Sequence, residues 1–135
     1  MCSLPNGTWA LVLEDDPAVA NVLKSTLARL GWPCVTASTW TEGRELLSKA
    51  GCGLLIADHG LADDFTGAAA VEWSRAHHPS IRCVLVSGAT RPPRFRDDPP
   101  NQVFLDKPFG PDELKAALER LDLPCGAPIP RSRRR

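Results

Sequence analysis

The feature that most constrains this chain is a repeated change of apolar period. Trp9–Leu13, Leu54–Ala57, Cys83–Val86 and Val103–Leu105 are short, unbroken apolar runs, and Cys34–Ala37 is a weaker one. Unbroken runs of that length fit strands covered on both faces, as in a parallel sheet. Between them the period becomes helical. Val19, Val22, Leu23, Leu27 and Leu30 fall at i, i+3, i+4, i+8 and i+11, a single stripe. Pro17 behind Asp16 suits the start of that helix, and Gly31 suits its stop. Thr39 to Glu42 has the form of a capping box before Leu46, Leu47 and Ala50, with Gly51 beyond. Ala68–His77 is a third helix closed by Pro79. Leu114, Leu118 and Leu121 mark the last, with Pro111, Asp112 and Glu113 in its first turn. Strands alternating with helices predict an α/β fold, a parallel sheet with helices on both faces.

One crossover breaks the pattern. A helix is expected across 89–101, yet Pro92-Pro93 and Pro99-Pro100 lie there, with only Arg94–Asp98 between them. A proline inside a helix costs about 3 kcal/mol. The fourth helix is therefore predicted to be missing or reduced to a short irregular turn.

Length and composition narrow the class. The 135 residues suit one domain, and 43% apolar residues suffice for a core. The predicted boundaries are an N-terminal tail over 1–7, a folded domain over 8–123 and a flexible Pro/Arg-rich tail over 124–135. The net charge is zero, but residues 1–130 hold 12 basic and 16 acidic side chains. A mildly acidic body with a basic tail argues against a nucleic-acid-binding surface. No apolar run is long enough to cross a membrane, and residues 1–8 lack the charge and apolar stretch of a secretory signal, so a cytoplasmic location is expected. The five cysteines, Cys2, Cys34, Cys52, Cys83 and Cys125, are scattered and never spaced as C-x-x-C. They read as reduced thiols rather than a disulfide framework or a zinc site.

In an open parallel sheet, ligands gather beyond the carboxyl ends of the strands. Glu14, Asp15 and Asp16 follow the first strand, Asp58 the third, Ser87 and Gly88 the fourth, and Asp106, Lys107 and Pro108 the fifth. Clustered carboxylates repel unless a cation joins them. Mg2+ is the natural one, since it takes oxygen ligands and shares its shell with phosphate oxygens. A lysine adds mobile charge for those oxygens and a serine adds a donor. The set suits phosphoryl transfer to a carboxylate, giving an acyl phosphate.

Four motifs, VLEDDPAV at 12–19, LLIADHGL at 54–61, VLVSGA at 84–89 and FLDKPF at 104–109, stand in order at strand ends. Together they resemble the receiver domains of two-component response regulators, over roughly Thr8 to Leu123. The resemblance implies a doubly wound, five-stranded, flavodoxin-like (βα)5 fold with strand order 2-1-3-4-5. It implies phosphorelay signalling, with Asp58 as phospho-acceptor and Mg2+ as cofactor. The metal ligands would be Glu14, Asp15, Asp58 and the backbone carbonyl of Gly60, with Asp16 outside the set. Lys107 would be the lysine that meets the phosphoryl group, joined to Pro108 by a cis peptide. Ser87 and Phe104 would be the switch residues. The donor would be a histidine kinase or phosphotransfer protein. The output would be a contact with another protein by a monomer or a phosphorylation-dependent dimer, without direct DNA binding or membrane contact. Such a chain accepts a phosphoryl group and loses it again but is not otherwise an enzyme.

There are departures from the family. Position 62 is alanine where proline is usual, and the loop to Gly67, with Asp63 and Asp64, is long, as in receivers of hybrid histidine kinases. The region of the missing helix belongs to the family's output face, which keeps a second reading open, a receiver-like interaction module that is never phosphorylated. Small residues at Gly60 and Ala89 suggest easy water access and a short phosphoryl lifetime. Two enzymes of the same fold fit poorly. A flavin site wants a phosphate-cradling loop where Glu14–Asp16 stand, and an aspartyl-phosphate hydrolase wants an acid at position 60. Asp15–Pro17 alone reads as a helix cap, Ser87-Gly88 alone as a turn, and Lys107 alone as a surface lysine. His59, His77 and His78 read as solvated, and the tryptophans as packing.

Overall fold

A computed structural model of the chain describes residues 8–60, 65–88, 92 and 94–124. The two tails at 1–7 and 125–135, Asp63, Asp64 and Ala89 lie outside the described residues. The elements run β1 (Trp9–Leu13), α1 (Pro17–Arg29), β2 (Cys34–Ala37), α2 (Trp40–Leu47), β3 (Cys52–Asp58), α3 (Gly67–His77), β4 (Arg82–Ser87), β5 (Gln102–Asp106) and α4 (Pro111–Arg120). All neighbouring strands pair in parallel, in the order β2-β1-β3-β4-β5. This is the order the resemblance implies. Among the described residues no helix is long and apolar enough to cross a membrane.

The unbroken apolar runs are explained by the layering. On β1, Ala10 and Val12 face one side and Leu11 and Leu13 the other, and all four are buried. One face packs Ala10, Val12, Leu54, Ile56, Val84 and Val103 against Leu23 and Leu27 of α1 and Leu114 and Leu118 of α4. The opposite face packs Leu11, Leu13, Leu55, Ala57 and Leu85 against Leu47 of α2 and Ala70 and Val71 of α3.

Helix boundaries follow local chemistry. The Asp16 side chain accepts from the Ala18 N–H at 3.0 Å, ahead of Pro17. Thr39 Oγ1 accepts from the Glu42 N–H at 3.2 Å, and Glu42 holds the Ser38 N–H at 2.9 Å. Gly31 and Gly51, the two expected stops, have φ of 92° and 101°, which side chains rarely adopt. The tryptophans pack as expected. Trp32 and Trp40 are buried, and Trp32 Nε1 donates to the Pro124 carbonyl at 2.8 Å. Burial pushes the thiols of Cys52 and Cys83 up to about 12, which keeps them protonated and unreactive.

Between β4 and β5 no described residue is helical, as the prolines require. Phe95, 6% exposed, fills the core where a helix would have presented an apolar stripe. Asp98 and Gln102 form an isolated antiparallel bridge, and Pro99-Pro100 is cis. Asp97 Oδ1 accepts from the Phe104 N–H at 2.9 Å, satisfying a donor on the open edge of β5. Arg75 reaches Gln102 at 2.8 Å and Asp98 at 3.1 Å, and Arg120 reaches Asp97 at 3.1 Å.

Ser74 on α3 is 0% exposed, and its hydroxyl has no hydrogen-bond partner among the described residues. Removing an unsatisfied buried hydroxyl relieves its desolvation penalty. Ser74→Ala is expected to stabilise the fold by about 1 kcal/mol. A urea melt giving a lower midpoint for the variant would contradict this.

Candidate functional site

The reversal of strand order lies between β1 and β3, so their carboxyl ends open the crevice of the sheet. Those ends carry Glu14 and Asp58. Glu14 follows Leu13 directly, its N–H bonded to the Ala37 carbonyl at 3.0 Å, and it is only 4% exposed. Asp58 ends β3 opposite Val86 of β4 and is 8% exposed. Asp15 stands exposed at the rim. One carboxylate oxygen from each of Glu14, Asp15 and Asp58 lies within 4.8 Å of the others. Asp16 faces elsewhere as the cap of α1, although its N–H reaches Glu14 Oε2 at 3.2 Å.

Lys107 supplies the opposite charge. Its Nζ lies 3.0 Å from Glu14 Oε1 and 3.3 Å from Asp58 Oδ2. Its backbone N–H donates to the Ser87 carbonyl at 2.9 Å, which fixes the root of the side chain beside β4. Lys107-Pro108 is cis, as the resemblance implies. Burial raises the Glu14 carboxyl above its ordinary value, aided by the neighbouring Asp58 charge and only partly offset by Lys107 and the Asp16 N–H. For Lys107, burial acts to lower the ammonium, but the bond to Glu14 and the charges of Asp58 and Glu14 outweigh it, and the net shift is upward.

The remaining expected residues lie on β4, on β5 and just after β3. Ser87 closes β4, 5% exposed, opposite Asp106 of β5. Phe104 is half-buried opposite Leu85, with its ring 6.4 Å from that of Phe95. The Gly60 N–H donates to Asp58 Oδ1 at 3.4 Å, so residue 60 returns towards the carboxylate it follows. The donors available to a cation are all oxygens, which suits a hard ion such as Mg2+.

Two contacts escaped the sequence reading. Gly67, first residue of α3, packs directly against the end of β3, and a Cβ there would collide with the Asp58 carbonyl oxygen and come within 2.8 Å of His59 Cα. His59, read as solvated, is half-buried and its Nδ1 accepts from the Ala68 N–H at 3.4 Å. His77 does behave as a surface residue, stacked on Trp73 at 4.0 Å. A glycine opening an alanine-rich helix was the available signal for the first contact, while nothing local marks the second.

Lys107→Met leaves Glu14 and Asp58 facing each other without compensation. A loss of about 1–3 kcal/mol is expected near neutral pH in chelator, less than for a fully buried pair because Nζ keeps some water. The Glu14 carboxyl is already raised, so the folded state holds its proton more tightly than the unfolded chain, and acid favours folding through this group. The deficit of the variant should shrink as pH falls from 7 towards the Glu14 titration. Melts at pH 7 and pH 5 showing an unchanged or larger deficit in acid would contradict it.

The family model described as "Response regulator receiver domain" matches residues 10–119. The transcriptional regulatory protein GltR of Pseudomonas aeruginosa is 27% identical over 125 residues, covering 86% of this chain and 49% of its own length. The transcriptional regulatory protein PmrA of Pectobacterium parmentieri is 30% identical over 112 residues, covering 82% of this chain and 50% of its own length. The chain thus spans about half the length of these curated relatives. A response regulator receiver domain (CheY-like) from Methylobacillus flagellatus superposes with a TM-score of 0.71 at 28% identity, covering 87% of this chain and 98% of that one.

Proposed function

Since the chain belongs to the response regulator receiver domain family, whose work is phosphorelay signalling, we propose that it accepts a phosphoryl group on Asp58 and passes the change to protein contacts. The observation that carries this reading is Lys107 Nζ lying between Glu14 and Asp58, beside a third carboxylate. Glu14, Asp15, Asp58 and the Gly60 carbonyl would hold Mg2+. When bound, the ion supplies positive charge for the phosphoryl oxygens.

The chain's own residues do the rest. An Asp58 carboxylate oxygen attacks phosphorus, the bond from phosphorus to the donor's histidine nitrogen breaks, and that nitrogen keeps the electron pair. A histidine kinase or phosphotransfer protein is the fitting donor. Lys107 meets the charge carried by the transferred oxygens, Ser87 offers them its hydroxyl, and Phe104 follows through the paired strands β4 and β5. The result biases an existing two-state equilibrium rather than creating a new fold. Asp58 serves as acceptor and site of later hydrolysis, with no separate substrate turned over.

The test is exposure to acetyl phosphate with Mg2+, followed by intact mass. One added phosphoryl group is expected on the native chain and none on Asp58→Asn, and chelator should abolish the gain. An unmodified native chain, together with partner binding that Asp58→Asn leaves unchanged, would overturn the proposal in favour of an unphosphorylated interaction module.

A further inference from the structure

Helix α3 opens immediately after the acceptor loop, and its first turn has three N–H groups without helical partners. Each has found one. The Ala69 N–H goes to Thr66 Oγ1 at 3.1 Å, the usual N-cap bond. The other two go to the residue that follows Asp58. The Gly67 N–H donates to the His59 carbonyl at 3.3 Å, and the Ala68 N–H donates to His59 Nδ1 at 3.4 Å. The His59 N–H is itself committed, donating to the Val86 carbonyl of β4 at 2.9 Å. Residue 59 therefore joins the end of β4 to the start of α3 through three bonds, and the side chain supplies one of them.

This stitch closes the base of the loop that starts at Gly60. Gly67 makes the closure possible, since any Cβ there would strike the Asp58 carbonyl. The loop's first residue, Gly60, sits between the stitch and the carboxylate to which its N–H is bonded. The peptide plane that begins at His59 carries that Gly60 N–H, so the bonds made by residue 59 fix where residue 60, and with it the Gly60 carbonyl, is placed.

We propose that His59 is a positioning residue for the cation site, its imidazole Nδ1 hooking the first turn of α3 so that the Gly60 carbonyl and Asp58 are held in the geometry that binds Mg2+. The inference rests on the assignment of Asp58 and Gly60 as metal ligands made above. A merely structural role would change stability alone. A positioning role changes affinity for the ion, and it depends on where an acceptor atom sits rather than on side-chain bulk.

Three variants of the full chain separate these. His59→Asn places an amide oxygen near the Nδ1 position, His59→Gln carries its oxygen one bond further, and His59→Ala removes the acceptor. Melting temperature is measured across a Mg2+ titration, which yields the dissociation constant by linkage for any variant that folds. Hydrogen exchange over residues 60–69 is measured separately in chelator. The Ala and Gln variants are expected to bind Mg2+ about tenfold more weakly, the low end for groups that orient metal ligands. Asn is expected to restore binding to within about twofold, on the same reasoning. The Ala68 amide should exchange faster in Ala and Gln but not in Asn. Equal Mg2+ affinity in all four proteins, or an equal loss in all three variants, overturns the proposal. If Ala fails to fold, the contrast of Gln with Asn decides. A native chain that binds no Mg2+ removes the metal assignment itself, a failure distinct from that of the hook, which the exchange rates report without metal.

Discussion

Glu14 and Asp58 are both largely buried, carry the same charge, and stand on adjacent strands, and the arrangement is tolerable because Lys107 lies between them. Much of the architecture follows from meeting that requirement. The lysine comes from the far end of the sequence, 93 residues after Glu14. It arrives from β5, across β4 from β3, so its backbone must be anchored on β4, and the Ser87 carbonyl does this. The sheet order is therefore part of the electrostatics. A chain that swapped β4 and β5, or slipped their register by one residue, would leave two buried carboxylates uncompensated, a cost of several kcal/mol.

The sheet can bear this because its strands are covered on both faces. Helices α1 and α4 close one side and α2 and α3 the other, leaving the carboxyl ends of the strands as the polar opening. The same burial that stabilises the strands desolvates Glu14, which lifts its carboxyl and makes an added cation favourable there. Stability and affinity are opposed at this one residue. What weakens the fold without an ion is what gives the ion a reason to bind.

The parts legible in the sequence were those written in local patterns. Strand and helix order came from the change in apolar period, helix ends from Asp16-Pro17, Thr39, Gly31 and Gly51, and the lack of helix in the described residues between β4 and β5 from paired prolines. The positions of Glu14, Asp15, Asp58 and Lys107 at strand ends were visible for the same reason, and the family resemblance supplied their roles. Strand order was not readable from the residues alone, since parallel pairing leaves no local mark. Nor were the close approach of Gly67 to Asp58, the bond from Phe104 to Asp97, or the hook on His59. Each joins residues across a loop or between elements, and each is made by a residue type that has an ordinary local explanation. A histidine after a strand reads as solvated until the helix that uses it is in place.

The segment that replaces the fourth helix shows which forces hold an irregular edge. Among the described residues its ion pairs, Arg75 with Asp98 and Arg120 with Asp97, are partly exposed and long-limbed, and such pairs contribute roughly 0–1 kcal/mol each. Phe95 is nearly buried, and burying a side chain of that size contributes about 1.5–3 kcal/mol. The bond from the Phe104 N–H to Asp97 adds about 1.5–3 kcal/mol as a hydrogen bond to a charged group. The hydrophobic anchor and the edge bond thus outweigh the ion pairs, which set direction more than stability. Both dominant contacts bear on Phe104, one at its ring and one at its amide. A regular helix would move as a body when the strand beside it shifted. The described part of this segment instead touches Phe104, which the family resemblance names as a switch residue, at Phe95 and Asp97.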